Sequence, residues 1–150
     1  MRQTGGMTDH RHVSLRHVRA ADLSGDTTQT DGMTRREAVS AHTVGSTAVW
    51  MGQTHVAPHA VSGDHHHGAT ETAIYVVAGN PVFVFADDGD ARRESRIETS
   101  PGDYVFVPAY VPHREENPGA EEAIVIIARS SQEAVVVNLP DLWSPVSQGS

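Results

Sequence analysis

The sequence concentrates its chemistry in histidine. Ten of its 150 residues are His, and five of these fall between His55 and His67. The tract Asp64-His65-His66-His67-Gly68 stands just ahead of an apolar, β-branched run, Thr72 to Ala78. On an extended backbone His65 and His67 share a face, roughly 6–7 Å apart along the chain, a spacing from which two imidazoles can converge on one ion. A third, isolated histidine, His113, closes the segment Pro108-Ala109-Tyr110-Val111-Pro112-His113. Its two prolines make a stiff turn that presents the imidazole at a fixed angle. The bland alternatives are a hydrogen-bonded structural histidine or a tag remnant. A tag would be longer and terminal, whereas this tract is embedded between strand signals.

Composition narrows what such a cluster can do. All 11 basic residues are Arg against 19 acidic ones, giving a net charge of −8. With no basic excess to displace counterions, a nucleic-acid partner is not expected. The lack of Lys excludes Schiff-base and P-loop chemistry. The lack of Cys excludes thiolate metal sites, thiol nucleophiles and disulfides. Any metal must therefore be held by His, carboxylate, main-chain oxygen or water. No nucleophile elbow is present, which argues against a serine hydrolase. No apolar segment approaches the ~20 residues of a spanning helix and no secretory signal is readable, so the expected location is cytoplasmic, without a membrane partner.

The elements that would position the histidines are strands. Residues 1–34 are polar and aperiodic and read as a flexible or partly docked N-terminal arm, with the domain proper at 35–150. From Arg35 onward, short apolar runs at roughly 47–51, 53–57, 72–78, 81–86, 94–98, 103–107, 122–128 and 133–138 are each ended by Gly, Pro, Asn or Asp. Strands of this length between turn signals predict an all-β sandwich or barrel. The run Thr72–Ala78 is apolar on both faces, as suits a strand within a two-sheet sandwich. Thr34 to Ala41 alone predicts a short helical turn.

Two stretches resemble the paired motifs of the cupin superfamily. Gly63 to Gly79, with His65-x-His67, a Glu at 71 and a strand closing on Gly, is similar to the first. Gly102 to Asn117, with Pro108, His113 and a terminal Asn, is similar to the second. The resemblance spans roughly Gly45 to Pro140. It implies an all-β cupin double-stranded β-helix, a jelly-roll barrel, commonly homodimeric, with a divalent metal at its mouth. His65, His67 and His113 are the implied ligands.

Three positions depart from the family pattern. His59 and Tyr110 stand where glycines are usual, which predicts locally different turns, with Tyr110 narrowing the pocket entrance. Counting back from Gly79, the usual Glu ligand falls on Thr72, and Glu71 lies one residue earlier, on the opposite face unless a bulge intervenes. The fourth ligand is therefore expected from His66, with Glu71 the alternative and His55 or His59 further candidates. If Glu71 is not a ligand, it is expected to act as a base or to support a ligand. Glu115 and Glu116, next to His113, are weaker candidates for orienting its ring. Trp50, Met51, Phe83, Phe85, Phe106 and Trp143 read as core or pocket wall.

A histidine-held ion, zinc by preference and Fe, Ni or Mn otherwise, serves three classes of function. One is Lewis-acid chemistry on a carbonyl substrate, such as aldol-type ring closure. Another is activation of O₂ by a redox metal in a dioxygenase. The last is small-molecule binding without turnover. A site free of carboxylate suits zinc and redox-inert chemistry better. The chain further resembles the cupin-type aromatic polyketide cyclases of bacterial specialised metabolism. That resemblance implies a poly-β-ketone substrate, an apolar cavity and a zinc ion.

Overall fold

Alternation of side chains decides how the strands pack. In the computed structural model, which describes residues 13–87 and 92–146, ten strands follow one another almost without helix. They are β1 (Met33–Val39), β2 (Trp50–Val56), β3 (His65–His66), β4 (Thr72–Ala78), β5 (Val82–Ala86), β6 (Glu94–Glu98), β7 (Tyr104–Val107), β8 (His113–Glu116), β9 (Ala123–Arg129) and β10 (Val137–Asn138). They form two five-stranded antiparallel sheets, ordered β1-β2-β9-β4-β7 and β10-β3-β8-β5-β6. Facing sheets of this kind make the all-β sandwich that the turn spacing predicted, in the jelly-roll form that the resemblance implied.

The core lies between the sheets. Thr72, Ile74 and Val76 of β4 face inward and are buried. With Trp50, Val105, Val107, Val125 and Ile127 of the first sheet and Phe83 of the second, the two aliphatic residues form the main apolar cluster. Each such side chain contributes about 1.5–3 kcal/mol on burial. The opposite face of β4 is not inside the sandwich. Val77 is exposed there, and so are Tyr104 and Phe106 of the neighbouring β7.

Several local expectations are corrected. Thr34–Ala41, expected as a helical turn, is mostly strand β1. Its helix-forming residues are overridden by a ladder to β2 that runs from Met33↔Val56 to Val39↔Met51. The single α-helix among the described residues, α1 (Ala41–Val44), follows β1, capped by the Ser40 side chain. The runs at 47–51 and 53–57 are one strand, because Gly52 continues it. A Cβ at Gly52 would collide with the Arg36 carbonyl oxygen and lie 2.8 Å from the Trp50 ring, so only glycine admits the crossing of β1. Of 133–138, only Val137–Asn138 pairs, with β3.

His59 and Tyr110, expected to mark different turns, hold the left-handed backbone that glycine would adopt, at φ 61° and 64°. The turn geometry is kept and carried as strain. Residues 1–12 of the expected N-terminal arm lie outside the described residues. In its described part, Ser24 bridges to Glu37 and the Gln29 side chain bonds the Arg35 backbone. No helix among the described residues is long and apolar enough to cross a membrane.

Candidate metal centre

Two strands of the second sheet deliver the histidines. β3 pairs with β8 through His65↔His113, so the register sets these two imidazoles side by side. His67 follows β3 on the same face as His65. Ring centroids lie 4.8 Å apart for His65 and His67, 4.5 Å for His65 and His113, and 5.0 Å for His67 and His113. One ligand nitrogen from each lies within 4.8 Å of the others.

The backbone decides which nitrogen each ring offers. The Nδ1 of His65 meets the Gly63 carbonyl at 2.7 Å, that of His67 the Val135 carbonyl at 2.8 Å, and that of His113 the Val111 carbonyl at 3.0 Å. A carbonyl oxygen only accepts, so each Nδ1 carries the proton and donates. Each Nε2 is left with its lone pair, the tautomer in which metal-binding histidines are held by the groups behind them. The Nε2 of His113 is buried with no hydrogen-bond partner among the described residues. An orphan of this kind costs about 1–3 kcal/mol unless something at the centre satisfies it. Two of the three, His67 and His113, are also held towards the neutral form. Burial pushes His67 down to about 4 and lowers His113 as well, in each case with further lowering from neighbouring histidines. These three residues suit a divalent ion.

The other expected site residues do not join them. His66 is buried on the opposite parity. Its Nδ1 accepts from the Gly68 N–H at 2.9 Å and its ring lies 6.0 Å from that of Tyr110. A fourth ligand at His66 would require the strand to flip a residue. Glu71 is exposed, and its backbone is tied to Ser130. No bulge turns its side chain inward, and the buried residue at that end of β4 is Thr72, whose Oγ1 has no partner among the described residues. His59 is exposed on its turn, and His55 bonds Glu122 and Gln53 away from the cluster.

A different carboxylate is near. Glu115 sits two residues beyond His113 on the same face of β8, with its Oε1 4.0 Å from His113 Nε2. Its neighbour Glu116 faces outward, paired with Arg96 and Arg114. The Asn that ends the second motif, Asn117, is structural: its buried Nδ2 is within bonding reach of the Val56, Ala57 and Glu121 carbonyls.

Two cavities border the triad, one on the side of His65 and His67 and the other on that of His113. One, of about 90 Å³, is lined by His65, His67, Thr72, Glu115 and Arg129, with Trp50 at its wall. The segment 134–138 closes it and supplies the Val135 carbonyl behind His67. The other, of about 460 Å³, is apolar, lined by Phe83, Phe85, Val105, Val107 and Pro112, with His113 on its wall. Arg129 is the residue that sequence reasoning missed. The available signal was a lone cation ending the apolar run Ala123–Arg129. Its guanidinium carbon lies 3.8 Å above the Trp50 ring, and burial lowers its pKa to about 10, with Arg35 adding to the effect.

Several solved structures share this architecture. The polyketide cyclase RemF from Streptomyces resistomycificus is 20% identical with a TM-score of 0.68, the match covering 84% of this chain and 86% of that one. An oxalate oxidase in complex with the substrate analogue glycolate is 21% identical with a TM-score of 0.62, over 78% of this chain. The chain spans 60% of the length of that oxidase. The oxalate decarboxylase OxdC from Bacillus subtilis, as its S161A mutant, is 22% identical with a TM-score of 0.62, over 75% of this chain and 29% of that one. At these identities the likeness is one of fold. No curated protein matches the sequence. The cupin domain family, however, matches residues 52–129, more than half of the chain and including every histidine of the triad. With the paired motifs, the jelly roll and the converging imidazoles in place, the chain belongs to the cupin family.

Proposed function

We propose that the chain is a metal-dependent enzyme that closes rings in a poly-β-ketone, with His65, His67 and His113 as the ligands of one divalent ion, zinc by preference. The observation that carries this reading is the set of Nε2 lone pairs facing one another, each fixed by a backbone carbonyl behind its ring. A divalent ion held there supplies the Lewis acidity that makes a methylene between two carbonyls acidic. The chain's own residues do the rest. The apolar cavity of about 460 Å³ lies within the usual size of small-molecule sites, and its Phe and Val walls hold a folded carbon chain and keep water out. Glu115, beside His113, takes the part of proton carrier expected of Glu71.

One observation favours a second reading. Glu115 gives the triad a neighbouring carboxylate, and three histidines with a carboxylate suit iron or manganese and O₂ chemistry in a dioxygenase. Metal analysis of untagged protein purified without chelator, with O₂ uptake followed on the same sample in the presence of a poly-β-ketone, separates the two. Zinc near one per chain with ring closure and no O₂ consumption supports the cyclase. Iron, nickel or manganese with substrate-dependent O₂ uptake overturns it. Tight binding of the ketone without turnover in either case makes the chain a binding protein.

A further inference from the structure

Arg129 stands on the wall of the small cavity without an ion pair among the described residues. Among the described residues its Nε is buried without a hydrogen-bond partner, and the one hydrogen bond its guanidinium makes is a long one, 3.4 Å from Nη2 to the Gln132 carbonyl. No carboxylate among the described residues pairs with it. The acids close by do not bond it. Glu37 is engaged at both oxygens, by His42 at 2.7 Å and by the Trp50 indole N–H at 3.2 Å, and acts on Arg129 only through space. Glu115 lines the same cavity without a hydrogen bond or ion pair to Arg129. A second guanidinium, Arg35, lines the same cavity and raises its positive potential. Leaving a half-buried guanidinium unpaired is costly unless an anion completes it. With its carbon 3.8 Å from the Trp50 ring centroid, the guanidinium keeps N–H donors that match a planar, two-oxygen partner.

We infer that Arg129 seats a carboxylate of the substrate, so that the site takes a molecule with a carboxylate head in the small cavity and an apolar body in the large one, the triad lying between them. The inference deepens the proposed function and rests on it for the chemistry at the triad, though not for the anion seat itself. A cavity of about 90 Å³ admits a carboxylate and the carbon that bears it, and little more. The class of substrate is then a β-keto acid with an extended apolar tail rather than a neutral polyketone.

The test is isothermal titration with malonate on metal-free and on zinc-loaded protein, with malonamide as the uncharged control. Wild type is expected to bind malonate in both states and to bind malonamide at least about tenfold more weakly, as the loss of a charged hydrogen bond implies. Arg129→Met is expected to lose that preference, Arg129→Lys to keep part of it, and Arg114→Met, on the outer face, to keep all of it. Malonate affinity unchanged in Arg129→Met, or equal affinity for malonate and malonamide in wild type, overturns the inference. Should Arg129→Met fail to fold, the wild-type comparison and Arg129→Lys still decide. Zinc content on the same samples separates the two readings. Failure to retain zinc with an Arg129-dependent malonate site refutes the metal chemistry alone, whereas stoichiometric zinc with malonate indifferent to Arg129 refutes the carboxylate seat alone.

Discussion

Strand β8 presents His113 and Glu115 to the interior and Arg114 and Glu116 to the outside, and the two faces are treated in opposite ways. Outside, every charge is matched. Arg114 reaches Glu94 and Glu116 at 2.8 Å and Asp64 at 3.4 Å, and Arg96 reaches Glu116 at 3.0 Å. Bonding to Arg114 holds Glu94 below the usual carboxylate range, and Arg96 does the same for Glu116. Inside, the rings are anchored from behind and left bare in front, with His113 Nε2 unpartnered. A network that satisfies itself needs nothing further, whereas groups fixed in place yet unsatisfied are poised for something the chain does not itself contain. One strand thus separates a stabilising face from a binding face by parity alone.

Substitutions at adjacent residues break this comparison most sharply. His113→Ala is expected to lower zinc affinity by at least about 100-fold, beyond the range seen when groups behind a ligand are lost. Arg114→Met is expected to leave affinity unchanged and to cost about 1–3 kcal/mol of stability, since it takes a charged hydrogen-bond partner from the half-buried Glu116 and Asp64. Competition with a chromophoric chelator and chemical denaturation measure the two. Equal losses of affinity in both variants would erase the distinction.

The acid limb sharpens it next. His67 titrates at about 4 in the folded chain against 6.5 when unfolded, so between these values the unfolded state binds more protons. Stability of the metal-free protein therefore falls as pH drops from 6.5 towards 4, by about 3 kcal/mol from this group, and no further below that. The outer carboxylates act lower. Their folded pKa values are depressed, so their contribution is present above the unfolded value near 4.5 and is lost beneath it. Denaturation midpoints across pH 3–8 should show the interior loss first, and His67→Leu should remove it. A stability curve flat from 6.5 to 4.5 would contradict the assignment.

The smallest effect concerns strain away from both faces. His59 is exposed at φ 61°, so His59→Gly should raise stability by about 1 kcal/mol or less, relief of the left-handed backbone exceeding the entropy lost by glycine. Thermal denaturation reads it directly, and a fall in Tm would show that the side chain does more than occupy the turn.

Much of the fold was legible because strand period and turn chemistry are local. Residues 72–78 read as a strand, and the Pro-flanked approach to His113 read as a stiff turn. What was not legible depended on pairing between distant segments. Thr34–Ala41 carries helix-forming residues, and only the ladder to β2 makes it a strand. The likeness of His65 and His67 was readable from parity, but the same parity removes His66, which a count of neighbouring histidines had favoured. Glu115 was readable beside His113 only as one of two candidates, and the inward face of β8 selects it, while Arg129 enters only through the β2–β9 register that sets it opposite Trp50. The carbonyl that sets His67 comes from Val135, on a segment that sequence alone does not bring to the mouth.

The central claim is that His65, His67 and His113 bind one ion through Nε2. Zinc-edge X-ray absorption on stoichiometrically loaded, dialysed protein tests it most directly. A shell of three imidazole nitrogens at roughly 2.0–2.1 Å is expected, reduced by one in His67→Ala. Failure to retain zinc, or a first shell unchanged by that substitution, would contradict it.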